Sequence, residues 1–453
     1  MAANATKDCS LESTATVYAE IAYEDPYVQP LILSALSKHI PQSSYTLIKD
    51  SSELPSSSTP HLQILPYESI DFTSLLSRSS TLLANAYIIR KALIRKHYLS
   101  TTVSNWITKH PNSVLKKHVK PSVEFEVDYA EFLDDALVEA WELKESWARN
   151  EEKEREEREW WILKPGMSER GQGIRLFSSE EELTEIFEEW EEDEDDEDED
   201  EDARSDTGGE QTNGSGGGNG IITSQLRHFI AQPYIHPPLL LPHPTNSLPT
   251  KFHIRTYVLC VGALKVYVYK PMLALFAAKP YLPPWEASNT EDALRAHLTN
   301  TCLQESGDRE GSVGLFWELS DNLPSTSATT ADCSEIGSWK EQIYAQIKDI
   351  TAETFEAAAR GMMVHFQPLP NAFEVFGLDF MVARGEEGEL VTYLLEVNAF
   401  PDFRQTGDEL KGLVGGLWED VVGVGVLPFF GLGGMEKGTE RLERVLDVDL
   451  GRR

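Results

Sequence analysis

Glu374-Val-Phe-Gly-Leu-Asp379-Phe-Met-Val382 and Tyr393-Leu-Leu-Glu396-Val-Asn398 read as two apolar strands carrying hard oxygen ligands at their ends. Side chains alternate across a strand, so Glu396 and Asn398 share one face while Val397 turns into the core. Asp379, on a neighbouring strand of the same character, can complete the cluster. Two carboxylates and an amide suit Mg²⁺, which keeps several waters and binds one or two protein carboxylates together with nucleotide phosphates. The alternative is a surface ion-pair edge, but carboxylates placed in buried-looking strands require a cation or a partner. Such a cluster calls for a phosphate-binding element elsewhere in the chain.

Trp160-Trp-Ile-Leu-Lys164-Pro-Gly166-Met-Ser-Glu-Arg-Gly171-Gln-Gly173-Ile174 offers one. An apolar strand delivers Lys164, and the glycines of the following loop let backbone N–H groups approach an anion closely. The spacing fits neither a Walker-A loop nor a dinucleotide fingerprint. Taken alone, the stretch could equally be a Gly-rich hairpin turn.

Between these two regions lie Phe229-Ile-Ala-Gln232-Pro-Tyr234-Ile235, Lys251-Phe-His253-Ile-Arg255, Val266-Tyr-Val-Tyr-Lys270 and His297-Leu-Thr-Asn300. With these motifs in order, the chain from about Arg90 to about Gln405 resembles the tubulin-tyrosine ligase family of ATP-grasp enzymes. The resemblance implies an α/β ATP-grasp fold: a small N-terminal α/β lobe, a central lobe, and a C-terminal catalytic lobe, with the nucleotide cleft between the last two. It further implies that Lys164, Gly171 and Gly173 hold the ATP phosphates. Gln232, Tyr234 and Ile235 belong to the hinge that contacts adenine, and Lys251 and Asn300 lie at the nucleotide. Arg255 faces the γ-phosphate and an acyl-phosphate intermediate, with Lys270 as a second catalytic cation. Asp379, Glu396 and Asn398 match the magnesium ligands, and Lys91, in Arg90-Lys91-Ala92, matches a lysine that reaches ATP. The implied cofactors are ATP and Mg²⁺.

Read from residue types alone, Lys251, Arg255 and Lys270 could be ordinary strand-surface charges. His297 reads as a packed, hydrogen-bonded side chain, because nothing in its segment supplies a nucleophile or an orienting carboxylate. The chain also departs from the family pattern. His253 stands where an aspartate is usual. Lys270 replaces an arginine and so lacks the planar fork. Ala399-Phe-Pro-Asp-Phe-Arg404-Gln405 replaces a run of small residues. These departures bear on the choice of substrate.

The implied reaction joins an amino acid, with tyrosine as the leading expectation, to the C-terminus of detyrosinated α-tubulin through an acyl phosphate. The alternatives are a glutamylating ligase and a catalytically weak ATP-binding scaffold. A scaffold has no physical need to keep the paired carboxylates Asp379 and Glu396 together with Asn398, Lys164 and Arg255.

Charge is unevenly spread. The net charge is −35 over 453 residues, and an unbroken acidic run from Glu191 to Asp202 carries 12 of the negative charges, which disfavours nucleic acid as a partner. That run continues into a Gly/Ser/Asn-rich stretch ending at Gly220, so about 190–220 reads as a disordered insertion. Between Asp71 and Glu124 there is no acidic residue. Arg90, Lys91, Arg95, Lys96, Lys109, Lys116, Lys117 and Lys120 accumulate there, suggesting a basic face for an acidic tubulin tail. The alternative is a basic helix face balanced by the acidic segment Glu139 to Glu159.

Cys9, Cys260, Cys302 and Cys333 lack metal-type spacing, which fits reduced thiols. The N-terminus has no apolar h-region, and the stretch from Leu413 to Phe430 is interrupted by Glu419, Asp420 and Pro428. No signal peptide or membrane span is expected, and the expected location is the cytoplasm. The domain reading is an N-terminal lobe over 1–85, a central lobe over 86–235, a C-terminal lobe over 236–435 and a tail over 436–453. A helix is expected from Trp339 to Gly361, from the spacing of Ile343, Ile347, Ile350 and Phe355.

Overall fold

The computed structural model describes residues 16–23, 25–166, 173–191, 228–287, 289–299, 312–323, 338–385, 387–407, 410–435 and 437–451. The expected insertion beyond Glu191, together with Gly171 and Asn300, lies outside the described residues. Three sheets organise the rest. Strands β1 (Val17–Ile21), β2 (Tyr45–Ile48), β3 (His61–Ile64) and β4 (Leu82–Ala84) form a parallel sheet in the order β2-β1-β3-β4. Strands β5 (Val123–Glu126), β6 (Trp161–Pro165), β7 (Arg175–Phe177) and β8 (His228–Pro233) form an antiparallel sheet in the order β5-β8-β6-β7.

The third and largest sheet is built around β10 (Pro249–Val261), and β9 (Leu240–Pro242) pairs with its start. β11 (Lys265–Tyr269), β12 (Leu273–Phe276), β13 (Val313–Leu315), β14 (Phe373–Arg384), β15 (Leu390–Ala399) and β16 (Leu442–Asp447) complete it. Along β10 one face, with Ile254, Val258 and Cys260, shares a core with Ile343, Ile347, Ile350 and Phe355 of helix Trp339–Gly361. The apolar spacing predicts that helix, and the Ser338 side chain caps it by accepting from Glu341 N. The opposite face, with Tyr257 and Leu259, meets helix Lys411–Val421 and the β1–β3 core. At its other end this second face carries Lys251, His253 and Arg255, which line a cleft.

The structure corrects two boundaries. Helix Lys96–Lys109 meets the β5–β8 sheet through polar and ring contacts, Thr101 with Glu124 and His97 with His228, whereas Leu93, Val103, Trp106 and Leu115 of helices Lys91–Ile94, Lys96–Lys109 and Leu115–His118 enter the core of the large sheet. Apolar burial thus assigns this segment to the C-terminal lobe instead of the central one. Residues 442–447, expected in a tail, form β16 and pair antiparallel with β11, extending the sheet at that edge.

Arg90, expected on the basic face, is instead buried. Its Nε lies 3.0 Å from Glu374 Oε1, and its guanidinium stacks 3.7 Å from the centre of the Tyr67 ring. Tyr87 N donates to the other Glu374 oxygen at 3.0 Å, so Glu374 ties the chain entering the large lobe to β14. Removing one partner of a buried ion pair leaves an uncompensated charge. Arg90→Met should therefore lower stability by about 3–5 kcal/mol in urea denaturation, and Glu374→Gln in that background should recover part of the loss.

Candidate nucleotide and ligand cleft

Lys251, His253 and Arg255 alternate along β10, so all three reach the same face. The register sets what they meet. β14 runs antiparallel to β10 with Arg255 opposite Asp379, and β15 runs antiparallel to β14 with Glu396 opposite Asp379 and Asn398 opposite Gly377. The register shifts after Asp379, where Leu395 is the extra residue. Glu396 can therefore face the cleft while Leu394 returns to the core. Gly377 has a steric role here: a Cβ on it would lie 2.9 Å from Pro401 Cβ and 3.4 Å from Arg255 Cδ.

These residues line a cleft of about 470 Å³ between the large sheet and the β5–β8 sheet. Arg255 grips Asp379 with a fork: Nε donates to Oδ1, and Nη2 donates to Oδ2 at 2.9 Å. Asn398 Nδ2 bridges the two carboxylates, at 3.3 Å from Asp379 Oδ2 and 3.1 Å from Glu396 Oε1. Lys96 Nζ lies 3.5 Å from Glu396 Oε2. Opposite, Lys164 on β6 donates to Gln232 Oε1 at 3.0 Å, and Gln232 in turn donates to Ser122 Oγ at 2.8 Å. Gly173 closes the described end of the glycine loop with φ of 71°, a left-handed conformation glycine adopts without steric cost.

Burial shapes the charges. It pushes the Lys164 ammonium down to about 8, opposed by Glu396 and reinforced by Lys96. It pushes Lys251 down to about 7, reinforced by Lys164. Burial alone would raise the Glu396 carboxyl, but Lys96, Asn398, Lys164 and Arg255 more than offset it and hold the group at about 2. Burial also opposes the charge on Arg255, yet Asp379 beside it raises the guanidinium above its ordinary value. His253 is held below the imidazole range by burial, with Asp379 opposing; its Nδ1 is 2.6 Å from Thr299 Oγ1.

Among the described residues no group of three or more His, Cys, Asp or Glu side chains could hold a metal ion on its own. The donor set is Asp379, Glu396 and Asn398, two carboxylates and an amide held within hydrogen-bond reach of one another. That number of protein ligands fits Mg²⁺ when phosphate oxygens complete the shell.

The cleft gathers Lys164, Gln232, Tyr234, Ile235, Lys251, Arg255, Asp379, Glu396 and Asn398. It does not include Lys91 or Lys270. Lys91 is exposed at the start of its short helix. Lys270 follows Val268, which pairs with Val258 on the helix-covered face, so alternation carries it away from Arg255. Its ammonium sits 5.1 Å from the Trp317 ring and 3.9 Å from Glu341. Lys96 and Lys120 line the cleft instead, Lys120 lying 4.7 Å from the Tyr393 ring. The acid-free stretch marks them as basic, but no strand motif assigns them to the cleft, since Lys96 starts a helix and Lys120 lies between a helix and β5. The expected basic face is not one surface: Arg90 is internal, Lys96 is in the cleft, Arg95 is half-buried, Lys117 pairs with Glu389, and Lys116 is exposed.

The fold and cleft are those of an ATP-grasp protein. The profile of the tubulin-tyrosine ligase family matches residues 83–431, and the chain belongs to that family. A Schizosaccharomyces pombe protein named a probable tubulin–tyrosine ligase is 41% identical over 424 residues, covering 93% of each chain. Saccharomyces cerevisiae PBY1, also named a probable tubulin–tyrosine ligase, is 43% identical over 368 residues. That match covers 80% of this chain and 45% of PBY1, so the chain spans less than half of that relative. Among solved structures, the C-terminal domain of K. lactis Pby1 is similar with a TM-score of 0.66 and 35% identity over 96% of this chain and 99% of that one. It is described as an ATP-grasp enzyme interacting with the mRNA decapping enzyme Dcp2.

Two expectations follow. Lys96→Ala should weaken Mg-ATP binding roughly tenfold in titration calorimetry, while Lys270→Ala stays within about twofold of wild type. A polyanion is best held when Lys164 and Lys251 are both protonated, so affinity should fall as pH rises through about 7 and 8. The loss should reach roughly tenfold by pH 9, with proton uptake on binding visible across buffers of different ionisation enthalpy. In the free protein the same depressed values act in the other direction. Between about 7 and the ordinary lysine value the unfolded chain binds more protons, so the contribution of these lysines to stability rises with pH.

Proposed function

We propose that the chain is an ATP-dependent ligase that joins an amino acid to a protein carboxylate, with tyrosine and the C-terminus of detyrosinated α-tubulin as the leading pair. The observation that carries this reading is the convergence in a single cleft of Lys251, Arg255, Asp379, Glu396 and Asn398 from one face of the large sheet with Lys164 from the sheet opposite. Family membership supports ATP use, and the names of the fungal relatives support the choice of acceptor.

In this reading Lys164 and Lys251 bind the phosphates, and Arg255 faces the charge that develops on the transferring phosphoryl group. Mg²⁺ held by Asp379, Glu396 and Asn398 would neutralise phosphate charge and orient the oxygens in line. The acceptor carboxylate displaces ADP from the γ-phosphorus to give an acyl phosphate. The amine of the incoming amino acid then displaces phosphate, forms the amide bond and releases its proton. The cations Lys96, Lys120, Lys164, Lys251 and Arg255 outnumber Asp379, Glu396 and Asp402 in the cleft. In a chain of net charge −35 that local excess would draw an acidic tail inward, in place of the surface patch expected from sequence. Among the described residues no helix is long and apolar enough to cross a membrane.

A second reading is an ATP-binding docking protein of slow turnover, favoured by the likeness to an enzyme described as interacting with Dcp2. One assay separates the two: incorporation of labelled tyrosine, with glutamate in parallel, into detyrosinated tubulin with Mg-ATP. Tyrosine incorporation that drops at least a hundredfold in Glu396→Gln supports the ligase, since that change removes a metal charge at nearly constant volume. Glutamate incorporation moves the protein to the glutamylating branch. ATP binding with neither amino acid incorporated supports the docking role.

A further inference from the structure

Three segments distant in sequence meet at one wall of the cleft: Tyr234 just after β8, Lys251 on β10, and His297 in the turn after the short helix Glu291–Leu294. Lys251 Nζ donates to Tyr234 Oη at 3.0 Å and lies 4.4 Å from the centre of that ring. Tyr234 Oη lies 2.8 Å from His297 Nδ1. All three residues are buried.

The direction of these bonds follows from what each group can do. While Lys251 is protonated its ammonium has three hydrogens and no lone pair, so in that state the tyrosine oxygen accepts from Lys251. The single hydroxyl hydrogen then needs an acceptor, and His297 Nδ1 stands at the right distance with a lone pair if its ring proton is on Nε2. Burial, with Lys251 nearby, pushes the His297 imidazole down to about 3, so the ring stays neutral through the physiological range. A competing arrangement sends the hydroxyl hydrogen to Tyr281, which also reaches Tyr234 and whose own hydroxyl lies 2.8 Å from His236 Nδ1. In that case His297 carries its proton on Nδ1.

Lys251 has no carboxylate partner among the described residues, and a four-carbon stem has many rotamers, so the Tyr234 hydroxyl is what fixes the ammonium. We propose that His297 is a positioning residue: by accepting from Tyr234 it turns the tyrosine oxygen toward Lys251, and so holds the Lys251 ammonium at the cleft wall for an anionic ligand. This rests on reading the cleft as a nucleotide site. It gives a role to a histidine that sequence alone marks as packing, and that role acts through Tyr234 and Lys251 although His297 itself also lines the cleft.

The test uses the full-length chain and Mg-ATP. His297→Leu removes the acceptor at similar size, whereas His297→Asn keeps an oxygen near the Nδ1 position. His297→Leu should raise the dissociation constant roughly tenfold, and His297→Asn should stay within about threefold. Tyr234→Phe should match the loss in His297→Leu, and the double variant should lose no more than either single one, since both cut the same chain. Nitrogen NMR of the wild type should show His297 Nδ1 unprotonated from pH 5 to 8. Additive losses, equal affinity in His297→Leu and wild type, or a proton on Nδ1 would each overturn the proposal. Wild-type protein that fails to bind Mg-ATP would instead overturn the nucleotide reading, with the NMR signature still deciding whether the tether exists.

Discussion

The buried fork between Arg255 and Asp379 is the contact on which the rest of the cleft depends. The two residues are register partners on adjacent antiparallel strands, so their pairing and the strand pairing enforce each other. Once they are aligned, alternation brings Lys251 and His253 to the same face, and the neighbouring strand brings Glu396 and Asn398 within reach of Asp379. A one-residue slip would turn every one of these side chains into the core. Such a pair is costly to bury, and its cost is met by two donated hydrogen bonds and by the amide of Asn398 on the far side.

The same arrangement accounts for the balance of charge in the cleft. The Glu396 carboxylate stays ionised in a poorly solvated setting because Lys96, Asn398, Lys164 and Arg255 face it. Across the same cleft, burial holds Lys164 and Lys251 at depressed basicity. A ligand bringing negative charge would strengthen the cationic side, and a divalent ion would relieve the anionic side. Neither half is comfortable alone, which is the physical sense in which the cleft is prepared for both together.

Much of this was legible in the sequence because strands write their geometry in period two. Alternation puts Glu396 and Asn398 on one face, with Asp379 able to join them from the neighbouring strand, whereas Lys251 and Arg255 read from residue types alone as possible surface charges. Lys270 shows where that reading was incomplete: pairing Val268 with Val258 puts it on the opposite face, and only the turn between β10 and β11 fixes that pairing. Lys96 and Lys120 could not be found in this way, since Lys96 starts a helix and Lys120 sits in the connection before β5, where no period-two pattern applies. The internal position of Arg90 was hidden for a related reason, its partner Glu374 lying far along the chain on β14. The long helix Trp339–Gly361 was plain from its apolar spacing, whereas β16, short and charged on one side, carried little signal of its own.

The position of β16 has a consequence for handling the protein. β11 reads Lys265-Val-Tyr-Val-Tyr269, a β-branched and aromatic stretch whose outer backbone groups are satisfied by Leu442–Asp447. A chain cut before Arg441 would expose that row of N–H and C=O groups on an apolar strand, a ready template for another copy to add to. With β16 in place the outermost strand carries Glu443, Arg444 and Asp447, charges that discourage edge-to-edge stacking. The last strand therefore also guards against aggregation, and shortened versions of the protein should be judged by their colloidal behaviour before their chemistry.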